Sequence, residues 1–207
     1  MLRKSLHGVV CDLDGTLRIP PSLDLKALLS SLANRKFPSK DEAELARQAV
    51  ERAKALRSSG KASLPGALEL CDFIDSIPLP RAIITLSSRA DVQKHEAKEL
   101  ARASRRFSPI FGGQEKVVKP SPEPLLRVCH KWGVEPGQVL MVGDSAKYDV
   151  ACGNSAGAIT CLIDPLFRYR IDELTGERRP DFVVHSLHEI QELIRKIGYV
   201  PFDCKFD

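Results

Sequence analysis

The sequence predicts an α/β fold: a Rossmann-like, doubly wound parallel sheet with a small helical cap inserted after the first strand. Short apolar runs rich in Val and Ile alternate with helical patterns, which is typical of a parallel sheet covered by helices on both faces. The predicted strands are 6–12, 80–86, 138–143, 158–163 and 181–184, and the predicted helices between them are 66–76, 89–104, 122–132, 146–156 and 187–197. These elements assign residues 1–17 and 65–207 to one core.

The segment 18–64 interrupts this alternation because it contains no strand pattern. Two helices are predicted there, at 23–33 and 41–57, and the second has a capping box in which Ser39 is the N-cap and Glu42 follows three residues later. The segment carries ten Lys and Arg and five Asp and Glu. It is therefore predicted to be an insert with either a solvated basic face or a basic cover over a phosphate-bearing substrate.

Composition bounds the classes of protein that are compatible with this chain. It has 207 residues, 43% of them hydrophobic, so we expect one domain with a small insert. The net charge of +4 is slight for this length and does not indicate binding to nucleic acid. Six cysteines form no C-x-x-C pair, which favours free thiols in a reducing compartment. No membrane-length apolar run or secretory signal is found, so a cytoplasmic location is expected, with organelle import left open.

The string VVCDLDGTL, residues 9–17, delivers two acids to the end of the first strand. Asp12 and Asp14 follow a buried strand, and the catalytic crevice of an open parallel sheet lies beyond the carboxyl ends of its strands. Gly15 permits a sharp turn. Paired carboxylates suit a divalent cation and acid/base chemistry, although Asp and Gly are also common in strand-end turns.

A second strand runs out into acids in VLMVGDSAKYDV, residues 139–150. Asp144 is a candidate metal ligand and Asp149 a candidate support, while Asp144 or Ser145 also suits a helix N-cap. Two weaker signals accompany them. Lys119 precedes Pro120 and would offset the repulsion between carboxylates, and Thr85 ends a strand with a hydroxyl that can bind a phosphate oxygen.

Taken in order, these motifs resemble those of the haloacid dehalogenase (HAD) superfamily of hydrolases, in its phosphoglycolate-phosphatase-like branch with a small helical cap. The D-x-D-G-T of residues 12–16, Thr85, Lys119 and the G-D-x-x-x-x-D of residues 143–149 occur in the family's order and cover nearly the whole chain. The stretch 64–66 (LPG) resembles the family's return from an inserted cap, and 180–190 resembles its last strand and helix.

The resemblance implies a role for each matching residue. Asp12 would attack phosphorus to form an aspartyl-phosphate, and Asp14 would protonate the leaving oxygen and then activate water. Mg²⁺ would be bound by the Asp12 carboxylate, the Asp14 carbonyl and Asp144. The residues expected to bind phosphate are Thr85, Lys119, Thr16 and Ser87. Asp149 and Ser145 are expected to support the site.

Asp14 also indicates the reaction class. A halide leaves without a proton, whereas an alkoxide leaves a phosphate ester only when it is protonated, so a second acid favours phosphate monoesters. One residue departs from the family pattern, because Leu86 follows Thr85 where many members carry Asn. Ser87 and Ser88 are the nearest substitutes.

The expected function is therefore a phosphatase acting on a small phosphorylated metabolite. A phosphomutase is less favoured because residues 18–64 contain no His. A phosphate-binding regulatory protein without turnover would not need both acids, and a nucleic-acid-end phosphatase would show strongly salt-dependent binding. No chemistry is expected in 165–180, read as a possible hairpin, or in the tail 198–207. The sequence does not indicate the oligomeric state.

Overall fold

A six-stranded parallel sheet forms the centre of the molecule. The computed structural model describes residues 5–77, 79–100, 105–116 and 118–200. Within them the strands are β1 (Gly8–Cys11), β2 (Arg81–Ile84), β3 (Ile110–Phe111), β4 (Val139–Gly143), β5 (Ile159–Ile163) and β6 (Phe182–Val184). Their spatial order is β3-β2-β1-β4-β5-β6, and all pairs are parallel. This is the Rossmann strand order, in which the direction of winding reverses between β1 and β4.

Helices cover both faces of the sheet, as a buried parallel sheet requires. Those that follow the segment 18–64 are α3 (Ala67–Ser76), α4 (Arg89–Glu99), α5 (Glu123–Trp132), α6 (Ala151–Ala156) and α7 (Leu187–Ile197). The segment 18–64 itself contains α1 (Leu25–Ala33) and α2 (Lys40–Ser58). The predicted α/β class and parallel sheet are confirmed.

The alternation of side chains along β1 divides the core in two. Val9 and Cys11 pack on one face with residues of α3 and α7, while Val10 packs on the other with residues of α5. Strand β1 pairs with β2 on one edge and with β4 on the other, and all of its residues are buried. Its main chain is therefore held by hydrogen bonds along both edges and by packing on both faces. The residue that leaves its carboxyl end is therefore placed with little freedom.

The segment 18–64 has an apolar cluster of its own. Leu25 and Leu32 of α1 pack against Ala46, Val50 and Ala53 of α2. The N-terminus of α2 has the predicted capping box, since the Ser39 hydroxyl accepts from the Glu42 amide and the Glu42 carboxylate accepts from the Ser39 amide. Glu99 of α4 anchors the return of the chain by accepting from the amides of Ala62 and Ser63.

Several local predictions need correction or restriction. Strand β3 was not predicted, because two residues carry too little pattern to be recognised. Residues 165–180 form two short 3₁₀ turns, Ile171–Glu173 and Gly176–Arg178, rather than a hairpin. The helix predicted at 146–156 begins with a π-helical turn, Ala146–Val150. The end of the helix predicted to 104 and most of the tail lie outside the described residues.

Five cysteines are free and buried, as predicted, and the sixth, Cys204, lies outside the described residues. Burial raises the pKa of each of the five, so they serve as packing residues. No helix in the described part of the chain has the length and apolar character needed to span a membrane.

Candidate active site

The candidate site lies where the winding of the sheet reverses. Asp12 follows β1 and Asp144 follows β4, and these strands are hydrogen-bonded neighbours in register from Gly8 with Val139 to Cys11 with Val142. The Asp12 amide donates to the carbonyl of Val142, which extends the pairing to the motif itself. Ligand crevices of open α/β sheets occur at this point, outside the carboxyl ends of the strands.

Lys119 joins two of the acids into a buried cluster. Its ammonium lies 2.6 Å from Asp12 Oδ1 and 2.5 Å from Asp149 Oδ1, and all three residues are buried. Two carboxylates this close repel each other in a medium of low dielectric constant, and a single shared cation offsets that repulsion.

The pKa values of the pair reflect burial and mutual attraction. Burial raises the pKa of Asp12 to about 7, and the nearby Lys119 acts in the opposite direction. Burial alone would lower the pKa of Lys119, but the charges of Asp12 and Asp149 outweigh it and raise that pKa. The ammonium therefore stays charged, and its charge favours the anionic form of Asp12.

Asp149 is bonded through both of its oxygens. Oδ1 accepts from Lys119 and Oδ2 from the Ser145 amide, 2.9 Å away. The Ser145 hydroxyl in turn caps the following turn by accepting from the Tyr148 amide. Asp149 thus helps to hold the Lys119 ammonium in place beside Asp12.

The acids also offer a set of oxygens that fits a divalent cation. Carboxylate oxygens of Asp12, Asp144 and Asp149 lie within 4.8 Å of one another, and oxygen donors are what Mg²⁺ and Ca²⁺ prefer. Since Asp149 is already bonded through both oxygens, Asp12 and Asp144 are the side chains best suited to such an ion. Gly15 makes room for Asp144, because a Cβ there would lie 2.5 Å from Asp144 Oδ2 and its φ is +89°.

Asp14 belongs to a separate, half-buried group. Its two oxygens accept from Nε and an Nη of Arg18, both at 2.8 Å, and from the Ser87 hydroxyl at 2.5 Å. Arg18 also donates to Ser87 at 3.2 Å. This is the two-pronged pairing that a planar guanidinium forms with a carboxylate. Arg18 was not predicted to belong to the site, because the sequence after the D-x-D-G-T turn does not show which side chain this Arg contacts.

The hydroxyl residues of the predicted set contact each other and the acids. Thr16 is fully buried and donates to Asp12 Oδ2 at 3.4 Å. Thr85 is buried and its oxygen accepts from the Ser87 amide at 3.1 Å. Ser87 binds Asp14, as described, and Leu86 between them is exposed. The turn that contains Leu86 therefore brings Ser87, two residues after Thr85, to the Asp14 group.

Arg168, in the segment 165–180, is the second residue near the acids that the sequence did not reveal. Its guanidinium lies 3.0 Å from Asp144 Oδ2 and 3.2 Å from Asp164 Oδ1, and it donates to the Asp144 carbonyl at 2.6 Å. Burial raises the pKa of Asp144, and Arg168 opposes this effect. The loop after β5 therefore supplies a cation to the outer side of the acidic cluster.

Comparison with known families identifies the class of protein. The family model described as haloacid dehalogenase-like hydrolase matches residues 23–157, more than half of the chain. The chain belongs to this family of hydrolases. The predicted family is confirmed, and so is the predicted kind of enzyme, a hydrolase whose relatives include phosphatases.

Individual relatives give the same result. A haloacid dehalogenase-like hydrolase domain-containing protein of Arabidopsis thaliana is 35% identical over 91% of this chain and 84% of its own length. A phosphoglycolate phosphatase of Haemophilus influenzae is 37% identical, but over only 42% of this chain and 38% of its own.

Solved structures support the fold alone, because their sequence identity is low. A predicted phosphoglycolate phosphatase from Haemophilus somnus superposes with a TM-score of 0.62 at 21% identity, over 91% of this chain and 97% of that one. A HAD phosphatase from Thermococcus onnurineus gives 0.62 at 21% identity, over 94% and 100%.

Proposed function

We propose that this protein is a Mg²⁺-dependent phosphatase that hydrolyses the phosphate monoester of a small metabolite through an aspartyl-phosphate on Asp12. The observation that carries the proposal is the buried cluster at the reversal of the sheet, where Lys119 bridges Asp12 and Asp149 and Asp144 lies alongside. A merely structural ion pair would not need a third carboxylate at the same strand ends. Family membership and the phosphatases among the relatives support the proposal.

Asp12 supplies the nucleophile. One of its carboxylate oxygens forms a bond to phosphorus while the bond from phosphorus to the ester oxygen breaks. Asp12 is well prepared for this step because Thr16 and Lys119 hold its two oxygens in fixed directions. Lys119 and the Thr85 hydroxyl are proposed to bind the oxygens of the transferring group, where charge is dispersed.

Asp14 supplies the proton for the leaving alkoxide and then takes one from the water that attacks phosphorus and releases phosphate and Asp12. Arg18 and Ser87 hold its carboxylate in one orientation. Their proposed part is to position this acid rather than to contact phosphate, which refines the expected role of Ser87.

Mg²⁺ is the proposed cofactor, with Asp12, Asp144 and the Asp14 carbonyl as its protein ligands, and when bound it would neutralise charge on the phosphoryl oxygens. Residues 18–64 are proposed to be a cap that excludes water from the crevice. A cytoplasmic location stays a prediction from the sequence.

The test is hydrolysis of an aryl phosphate at near-neutral pH, with Mg²⁺ and then with EDTA, by the wild-type chain and by Asp12→Asn. We expect Mg²⁺-dependent release of phosphate that is lost in the variant, because an amide cannot form the acyl phosphate. Folded protein that binds phosphate but does not release it from any ester would support a non-catalytic phosphate-binding protein. Release that is unchanged in Asp12→Asn would exclude this mechanism.

A further inference from the structure

A cavity of about 270 Å³ lies between the inserted helices and the carboxyl edge of the sheet. Its upper wall comes from α1, α2 and the residues just before α1, and its floor from the end of β5 and the segments that follow β5 and β6. Hydrophobic side chains dominate both walls, including Leu23, Leu28 and Val50 above and Ile163, Leu166 and Leu187 below.

The cavity opens directly onto the candidate active site. Gly15 of the D-x-D-G-T turn and Asp144 both line it. A molecule whose phosphate lies at Asp12 therefore has this space beside it for its organic part, and the volume admits only a small one.

The polar side chains along the cavity already have partners. Arg168 is bound to Asp144 and Asp164. His185 Nδ1 lies 2.7 Å from the Asp164 carbonyl and its ring stacks on Phe167 at 4.0 Å. Ser186 donates to Glu189 at 2.7 Å.

Arg52, the remaining lining residue with a charge, is exposed at the surface of the insert. A hydroxyl-rich or carboxylate-bearing group that entered the interior would lose hydrogen bonds to water, and the mainly apolar lining offers few groups to replace them. A hydrocarbon group has no hydrogen bonds to water to lose, and burial of its apolar surface would stabilise the complex.

We propose that this cavity binds the leaving group, and that the substrate is a small phosphate monoester whose organic part is mainly hydrocarbon rather than a sugar or a carboxylate. The inference rests on the proposed function, because it places the phosphate at Asp12. An apolar pocket discriminates only modestly against added hydroxyls, so the expected preference is on the order of 10- to 100-fold in kcat/KM.

The first test compares pentyl phosphate with ribose 5-phosphate, two primary alkyl phosphates whose leaving groups are of similar basicity. The inference predicts the higher kcat/KM for pentyl phosphate, and equal or better turnover of ribose 5-phosphate would overturn it. Acetyl phosphate, whose leaving group is too small to need the cavity, reports separately on the Asp12 chemistry. If acetyl phosphate is hydrolysed and the alkyl preference is absent, the inference fails while the proposed function stands.

Two variants of α2 locate the effect. Ala49 lines the cavity, whereas Ala55 lies exposed on the same helix and does not. We expect Ala49→Phe to raise KM for pentyl phosphate roughly tenfold, with acetyl phosphate little changed, because the ring fills the space. Ala55→Phe is the matched control and should leave both unchanged. Equal behaviour of the two variants would contradict the inference.

Binding of pentylphosphonate, which is not hydrolysed, gives a readout without turnover. Calorimetry should show weaker binding to Ala49→Phe and to Leu28→Asn, which keeps the size of the side chain but adds polarity, than to the wild-type chain. Undiminished affinity in folded samples of both variants would overturn the inference even if no ester is turned over.

Discussion

The two acids of the D-x-D-G-T motif lie two residues apart but in different surroundings. Asp12 is buried against Lys119, which is itself buried and shared with Asp149. Asp14 is half-buried and is held by Arg18 and Ser87, residues of a turn and a loop. In a continuous strand, residues two apart would lie on the same face. Here β1 ends at Cys11 and the chain turns at residues 15–17, so the two acids contact different neighbours.

This difference separates two requirements of the proposed reaction. A nucleophile must be an anion in a dry place, which requires a permanent cation close by. An acid that gives and then takes a proton must exchange it with water and substrate, which a half-exposed position allows. Variants of Lys119, Asp14 and Arg18 should distinguish these two uses.

Lys119→Met should have the largest effect. It leaves Asp12 and Asp149 facing each other without their cation, so we expect kcat/KM to fall by about 10³ and the free energy of unfolding to fall by about 3–5 kcal/mol. Steady-state kinetics and denaturant unfolding measure the two effects. Lys131→Met, at an exposed position of α5, is the control and should change neither.

Asp14→Asn should have an effect that depends on the leaving group. We expect a loss of about 10² in kcat for alkyl phosphates and a smaller loss in the phosphorylation step with acetyl phosphate, whose leaving group needs little protonation. A plot of rate against the pKa of the leaving group measures the difference. A loss of the same size for every substrate would show that Asp14 is not the acid.

Arg18→Met should reproduce that pattern on a smaller scale. If Arg18 positions Asp14, losing the two hydrogen bonds from Arg18 to Asp14 should lower kcat for alkyl phosphates by roughly 10- to 100-fold. KM should change little, and acetyl phosphate should be less affected. Arg18→Lys should restore only part of the rate, because an ammonium cannot form the paired contact. A uniform loss across leaving groups would indicate a purely structural role for Arg18.

Arg168→Met should have the smallest effect, and unlike the other variants it should increase rather than decrease a property of the enzyme, its activation by Mg²⁺. The guanidinium competes for Asp144 Oδ2, so its removal should strengthen Mg²⁺ activation, by roughly three- to tenfold at this partly exposed position. The Mg²⁺ concentration for half-maximal activity measures the change. Weaker activation would mean that Arg168 orients Asp144 for the metal instead.

The sequence was sufficient to predict five of the six strands, and it indicated that acids after β1 and β4 would lie at one edge of the sheet. The runs at β1 and β4 have only one sensible burial pattern, and acids that follow neighbouring parallel strands must meet at one edge. Lys119 was found because its motif resembles the family's.

Arg18 and Arg168 were not found. Their roles depend on which side chain a turn or a long connection places beside Asp14 or Asp144, and neither periodicity nor spacing encodes that. The same applies to the cavity, whose walls come from segments more than 100 residues apart in the sequence.

The central claim is that Asp12 becomes covalently phosphorylated. Asp14→Asn mixed with acetyl phosphate and Mg²⁺, quenched in acid and digested, is the most direct measurement, because this variant should form the acyl phosphate but hydrolyse it slowly. Mass spectrometry should find one HPO₃ on the peptide that contains Asp12, removable by hydroxylamine and absent from the Asp12→Asn, Asp14→Asn double variant. Phosphate release with no label on that peptide at any quench time, or label that persists in the double variant, would contradict the claim.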